Sequence, residues 1–132
     1  NEVHFAWLNT PKNNGGIEGV TYPILADTTR NLAAALDILD AEWVYDENTD
    51  EEILEGSNVT FRATYLIDEE GKIFHESVND MPLGRNVNEY LRLVDAYTHV
   101  QTKGEVCPAN WEEGKDAMHA DRLSTAAYLA QN

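Results

Sequence analysis

Cysteine is almost missing from this chain: Cys107 is the only one in 132 residues. A single thiol excludes an internal disulfide framework, so any disulfide must join this chain to another. A reducing cytoplasm is the compartment expected from that. The four histidines, His4, His75, His99 and His119, show no metal-ligand spacing, so no metal and no cofactor are expected. Bases are scarce as well, 9 Lys and Arg against 24 Asp and Glu, a formal charge of -15. Nucleic acid and anionic membrane both demand a positive surface, so neither is an expected partner. No apolar run approaches membrane-spanning length, and no signal peptide opens the chain. A leading methionine is lacking too. The strand-like run Val3-His4-Phe5-Ala6-Trp7-Leu8 begins almost at once, so the opening reads as a cut made inside a domain.

What remains describes an ordinary soluble globular protein, 42% hydrophobic and 25% charged, sized for one domain with a core. Residues 3 to 8 suit a buried strand. Asn9-Thr10-Pro11 stops it, and Asn13-Asn14-Gly15-Gly16 carries a loop. Tyr22-Pro23-Ile24-Leu25-Ala26 fits a sheet edge or a strand start. Asp27 stands at an N-cap position, and Leu32, Ala35, Leu36 and Leu39 recur behind it at helical spacing, predicting a helix over 28–39. Eight acids and no base lie between Asp40 and Glu55. Residues 40–60 therefore read as a solvated acidic insertion, able to form a small hairpin or lid, and a salt-adapted source would account for the remaining acidic excess.

A hairpin is signalled next. Phe61 to Ile67 is one strand, Asp68-Glu69-Glu70-Gly71 the turn, and Lys72 to Val78 the antiparallel return. Asn86 with Glu89 makes a capping-box-like start, and Val87, Tyr90, Leu91, Val94 and Tyr97 form one apolar stripe of a helix ending near Thr102, at Gly104. A last short helix is expected over 120–130. Such an order predicts an α/β domain with a helix on each side of a central sheet.

Cys107 stands in Lys103-Gly104-Glu105-Val106-Cys107-Pro108-Ala109-Asn110-Trp111. A lone thiol is commonly an inert buried hydrophobe. Here Gly104 and Pro108 break regular structure, and Glu105, Glu112 and Glu113 resist desolvation together, which argues for an exposed thiol. The same acids disfavour a thiolate, so Cys107 reads as a thiol that meets an activated partner sulfur rather than one that opens the chemistry. Arg62, inside an apolar strand, needs a partner or a function; an ion pair and an active-site role stand level on the residues alone. Arg85 suits a structural hydrogen bond, and Trp7, Tyr22 and Trp111 suit packing.

Five segments together resemble the peroxiredoxins of the typical two-cysteine class, which includes the alkyl hydroperoxide reductase peroxidase subunit. They are residues 4–11, 23–27, 62–68, 78–87 and the Gly104-Glu105-Val106-Cys107-Pro108-Ala109-Asn110-Trp111 box. The resemblance covers nearly the whole chain except 40–60. It implies a thioredoxin-like fold, N-terminally incomplete: a domain portion over 1–102 and an arm over 103–132 carrying the resolving cysteine. It implies reduction of hydrogen peroxide and alkyl hydroperoxides through an intersubunit disulfide. Cys107 corresponds to the resolving cysteine and Arg62 to the arginine that steadies the peroxidatic thiolate. The strand Ile73, Phe74, His75, Glu76, Ser77 and Val78 corresponds to the edge that pairs with its twin in a homodimer, which in some members builds a decamer. Thioredoxin or a dedicated flavoprotein disulfide reductase is the implied reductant.

The chain departs from the pattern in ways that matter. The peroxidatic cysteine with its proline-threonine box is absent from these residues, so they are expected to be inactive alone. Gly15-Gly16-Ile17-Glu18 and Tyr128-Leu129 replace the motifs of overoxidation-sensitive relatives, which puts that sensitivity in doubt. Two other classes compete: a non-catalytic thioredoxin-like binding module working through Cys107 mixed disulfides, and an acidic structural subunit.

Overall fold

A computed structural model describes residues 2–131. They form two compact units, one up to Thr60 and one from Phe61 onward. The boundary falls inside the span read from sequence as one domain portion.

The first unit opens with helix α1, Glu2–Leu8, where a strand was expected. The reason is a missing partner. β-Propensity measures fit to a pleated surface beside other strands, and no strand among the described residues pairs with this segment. Its backbone groups satisfy one another within the helix instead. Side chains close the end: Asn9 Nδ2 donates to the Phe5 carbonyl at 2.7 Å and Thr10 Oγ1 to the Ala6 carbonyl at 2.8 Å. Trp7, expected to pack, is 46% exposed and donates its indole N–H to the Gly15 carbonyl at 2.9 Å. Lys12–Asn14 adds a single 3-10 turn. Residues 22–26 form no strand, and Tyr22 is exposed rather than packed.

Helix α2 is Asn31–Ala35, shorter than the span expected. Asp27 does cap it, accepting from Leu32 N at 3.2 Å and Ala33 N at 2.8 Å, but from further upstream than a regular N-cap. At the other end Asp37 takes a left-handed φ of 53°. Asp37 N–H then reaches the Ala34 carbonyl and Ile38 N–H the Ala33 carbonyl, the Schellman closure that stops the helix early. The chain passes straight into strands β1, Leu39–Asp46, and β2, Glu51–Thr60, an antiparallel hairpin. The acid-rich tract is thus ordered strand. Its register breaks between Leu39↔Thr60 and Ala41↔Gly56, where Gly56 has φ 143° and an added Cβ would stand 2.5 Å from the Asp40 carbonyl. Only a residue without a side chain fits there.

In the second unit β3, Arg62–Ile67, pairs antiparallel with β4, Ile73–Asn79, as the sequence predicts. Asp68 organises the turn. Its carboxylate accepts from Lys72 N at 2.8 Å, Glu70 N at 3.0 Å and the Tyr97 hydroxyl at 2.9 Å. Helix α3, Val87–Lys103, ends at Gly104 in the left-handed region, φ 67°, as a glycine stop requires. The capping box does not form: Asn86 makes no side-chain cap bond, and the Glu89 carboxylate is drawn into a charge-assisted pair with Arg92. Phe74 stacks on Tyr97 with centroids 3.9 Å apart, and the Ser77 and Tyr90 hydroxyls meet at 3.0 Å, fixing the hairpin against α3. Helix α4, Arg122–Leu129, begins at Asp121, which caps Leu123 N and Ser124 N at 2.9 Å each.

No central sheet flanked by helices is present among the described residues; the strands form two separate two-stranded sheets. The expected core is also thin. Ala33 and Trp111 are the buried apolar residues, while Phe5, Leu25, Trp43, Val87 and Leu123 are exposed. Two-stranded sheets cannot bury both faces, so the apolar stripes read from sequence are formed but only partly covered. Among the described residues no helix is long and apolar enough to cross a membrane.

Candidate functional site

The segment after Gly104 folds back on α3 and carries the only thiol. An isolated bridge sets its path: Val106 N–H reaches the Met118 carbonyl at 2.7 Å and Met118 N–H returns to Val106 at 3.2 Å. Trp111 anchors the far end, 2% exposed, its indole N–H on the Lys115 carbonyl at 3.0 Å. Asn110 turns the chain into it with a left-handed φ of 59°, a conformation asparagine tolerates.

Cys107 sits between these two fixtures. The exposed thiol expected from sequence is half-buried, with Sγ directed at the Ala96 carbonyl at 3.7 Å. Acids alone did not decide its exposure, because Glu105 turns away to His99 and leaves the sulfur against the helix. Burial pushes the thiol above its ordinary pKa; the Arg92 guanidinium opposes the rise, and Glu105 adds to it. Burial thus favours the protonated thiol, a weaker nucleophile than a thiolate, while the sulfur's residue stays only half-buried.

Helix α3 holds the segment through a polar stripe that the sequence reading missed. Arg92 Nη1 donates to the Trp111 carbonyl at 2.9 Å, while its Nε and Nη2 bind the two Glu89 carboxylate oxygens at 2.7 Å each. His99 Nε2 lies 2.8 Å from Glu105 Oε2, with its ring 4.9 Å from that of Trp111. The signal lies in Glu89, Arg92, Ala96 and His99 at helical spacing, beside the apolar stripe of the same helix.

Arg62 is half-buried at the start of β3. No acid among the described residues pairs with it. Its Nε donates to the Met81 carbonyl at 2.6 Å. Arg85 has the structural hydrogen bond expected, Nη1 to the Ala63 carbonyl at 3.1 Å. The two arginines bind β3 and the 80–86 connector to each other. Among the described residues, no hydrogen bond or ion pair joins Arg62 to Cys107. In β4, Phe74, His75 and Ser77 are half-buried, Ile73, Glu76 and Val78 are exposed, and β3 is the only strand in its ladder among the described residues.

Residues 1–76 match the AhpC/TSA family, and residues 96–131 match the C-terminal domain of 1-Cys peroxiredoxin. The chain is 41% identical over 131 residues to alkyl hydroperoxide reductase C of Helicobacter pylori, covering 99% of this chain and 59% of that protein. It is 44% identical over 126 residues to the human mitochondrial thioredoxin-dependent peroxide reductase, covering 96% of this chain and 44% of that one. Among solved structures, the reduced 2-Cys peroxiredoxin of Plasmodium vivax matches with a TM-score of 0.81 at 34% identity, over 98% of this chain and 59% of that one. A yeast mitochondrial 1-Cys peroxiredoxin, studied for thiol resolution through glutathione and thioredoxin systems, matches with a TM-score of 0.70 at 33% identity, over 89% and 53%. The chain thus spans between 44% and 59% of the length of these relatives.

Proposed function

Since the chain belongs to the AhpC/TSA family of peroxiredoxins, with their thioredoxin-like fold, we propose that it supplies the resolving half of a thiol-dependent peroxidase. In that reading a peroxidatic cysteine on a partner subunit has been oxidised by peroxide to a sulfenic acid. Cys107, as its thiolate, attacks the sulfenic sulfur. The S–S bond forms, the S–O bond breaks, and the oxygen leaves as water with the proton. A dithiol reductant, thioredoxin or a flavoprotein disulfide reductase, then returns two electrons and frees both thiols. A reducing compartment such as the cytoplasm belongs to the same reading.

One observation carries it: Cys107 is held half-buried in a braced loop with its pKa raised. A thiol of that kind is a poor first attacker on peroxide, which leaves its thiolate to react with a sulfur already activated as a sulfenic acid. Arg62 is assigned to the peroxidatic site, since its terminal nitrogens make no hydrogen bond among the described residues and remain available to an anion. The free edge of β4 is assigned to a homodimer contact.

The test uses a two-cysteine relative whose own resolving cysteine is replaced by serine. Oxidised with one equivalent of peroxide and mixed with this chain, it should form a mixed disulfide that peptide mapping places at Cys107. The chain alone should not turn over peroxide with a thiol reductant. Turnover by the chain alone, abolished by Cys107→Ser, would overturn the assignment. For the dimer edge, Phe74→Pro should shift the sedimentation profile toward monomer, because proline removes a ladder donor; an unchanged profile counts against β4 as the contact.

A further inference from the structure

α3 grips the thiol segment from one stripe, Glu89, Arg92, Ala96 and His99, set at steps of three, four and three residues. Three of the four take different points along the loop. His99 takes Glu105, the Ala96 carbonyl takes the Cys107 thiol, and Arg92 takes the Trp111 carbonyl. Glu89 instead holds Arg92 from behind through both carboxylate oxygens. The guanidinium therefore spends three N–H directions at once, a geometry a planar fork supplies and an ammonium does not.

We propose that Arg92 is a positioning residue for the resolving thiol: by bridging Glu89 to the Trp111 carbonyl it clamps the 105–111 loop against α3 and limits how far Cys107 meets solvent. The proposal rests on Cys107 being the resolving cysteine. It adds the part that decides when that cysteine is available, since a disulfide with another chain needs the sulfur to leave the Ala96 carbonyl.

Arg92 acts on the sulfur in two opposed ways. Its positive charge favours the thiolate, while the burial it enforces disfavours it, and burial is the larger influence. Arg92 and Glu105 are the charged groups that act on the thiol, while Glu89 and Glu112 act on Arg92 and His99 binds Glu105. The sign of the response to substitution therefore separates a clamp from a mere nearby charge. Opening a clamp lets the thiol ionise at lower pH; removing a charge alone pushes ionisation to higher pH.

The experiment is the pH profile of Cys107 alkylation by iodoacetamide in the 132-residue chain, for wild type, Arg92→Lys, Arg92→Ala and Glu89→Gln. Urea-denatured wild type sets the free-thiol limit. Arg92→Lys keeps the charge and loses the fork, so its midpoint should fall and its rate at neutral pH rise about three- to tenfold, one pKa unit being tenfold in thiolate. Arg92→Ala should move the same way by less, because the helpful charge goes too. Glu89→Gln keeps every cation and removes only the ionic brace, so it should show a smaller fall. A midpoint unchanged or raised in Arg92→Lys overturns the clamp. Should either Arg92 variant lose its helical circular dichroism, Glu89→Gln decides by the same sign. Capture of the sulfenic acid is scored separately. Alkylation that obeys the clamp without any mixed disulfide removes the resolving role and keeps the clamp; normal capture with Arg92-independent alkylation does the reverse.

Discussion

The two hairpins of this chain differ in a way that ladder length does not predict. β1 and β2 make the longer pairing, out to Asp46↔Glu51, yet Trp43 and Tyr45 on that hairpin are each 60% exposed. β3 and β4 are shorter, but Phe74 lies on Tyr97, Ser77 meets Tyr90, and Asp68 ties the turn to the helix. Backbone pairing gives a hairpin its register, while packing of one face against another element gives it a place. Candidate chemistry follows placement: Arg62 and Cys107 both lie in the second unit, where helix α3 supplies the second layer.

The largest effect that would test this contrast is at Trp111. Trp111→Ala should lower the stability of the second unit by about 3–5 kcal/mol, as expected for a buried tryptophan. Trp43→Ala should change denaturant unfolding by no more than about 0.5 kcal/mol, as for an exposed side chain. Equal losses from the two substitutions would mean that the aromatic face of β1 and β2 is covered after all.

A smaller effect belongs to the break in the first ladder. Gly56→Ala must adopt a φ near 143° and crowd the Asp40 carbonyl, so it should weaken the first hairpin by about 1–3 kcal/mol. Hydrogen exchange should then accelerate in 39–60 and stay unchanged in 62–79. Parallel acceleration in both would show that the units unfold as one.

The smallest effect is a pH response that distinguishes the turns. The Asp68 carboxyl is held below its ordinary pKa by the Lys72 amide first, then by the Tyr97 hydroxyl and the Glu70 amide, with burial opposing. Asp46 is likewise lowered, by the Asn48 amide and side chain and then by Thr49, all within its own turn. Each depressed group lends stability that is present above its unfolded pKa and lost as pH falls through the folded one. Acidification should therefore perturb the near-ultraviolet signal of Tyr97 in wild type, and Asp68→Asn should flatten that response, whereas Asp46→Asn should leave it intact.

Much of the second unit was legible because its signals are local. The turn at Asp68 and Gly71 and the stop at Gly104 each act within a few residues of themselves. The errors share a cause. Residues 3–8 have strand composition but no neighbouring strand, so the run closed into α1 instead. The capping box at Asn86 and Glu89 failed, and Glu89 pairs with Arg92, one turn along.

Cysteine count, charge balance, the motif box around Cys107 and the antiparallel pairing of β3 with β4 were settled by the order of residues, since each depends on identity or on local spacing. Only the folded chain decided that the thiol is sheltered rather than open, that Arg92 stands beside it, and that Arg62 has no acid partner among the described residues. Those facts depend on loops returning to a helix many residues away. Their free energy lies in desolvation and hydrogen-bond geometry, neither of which has a period along a sequence.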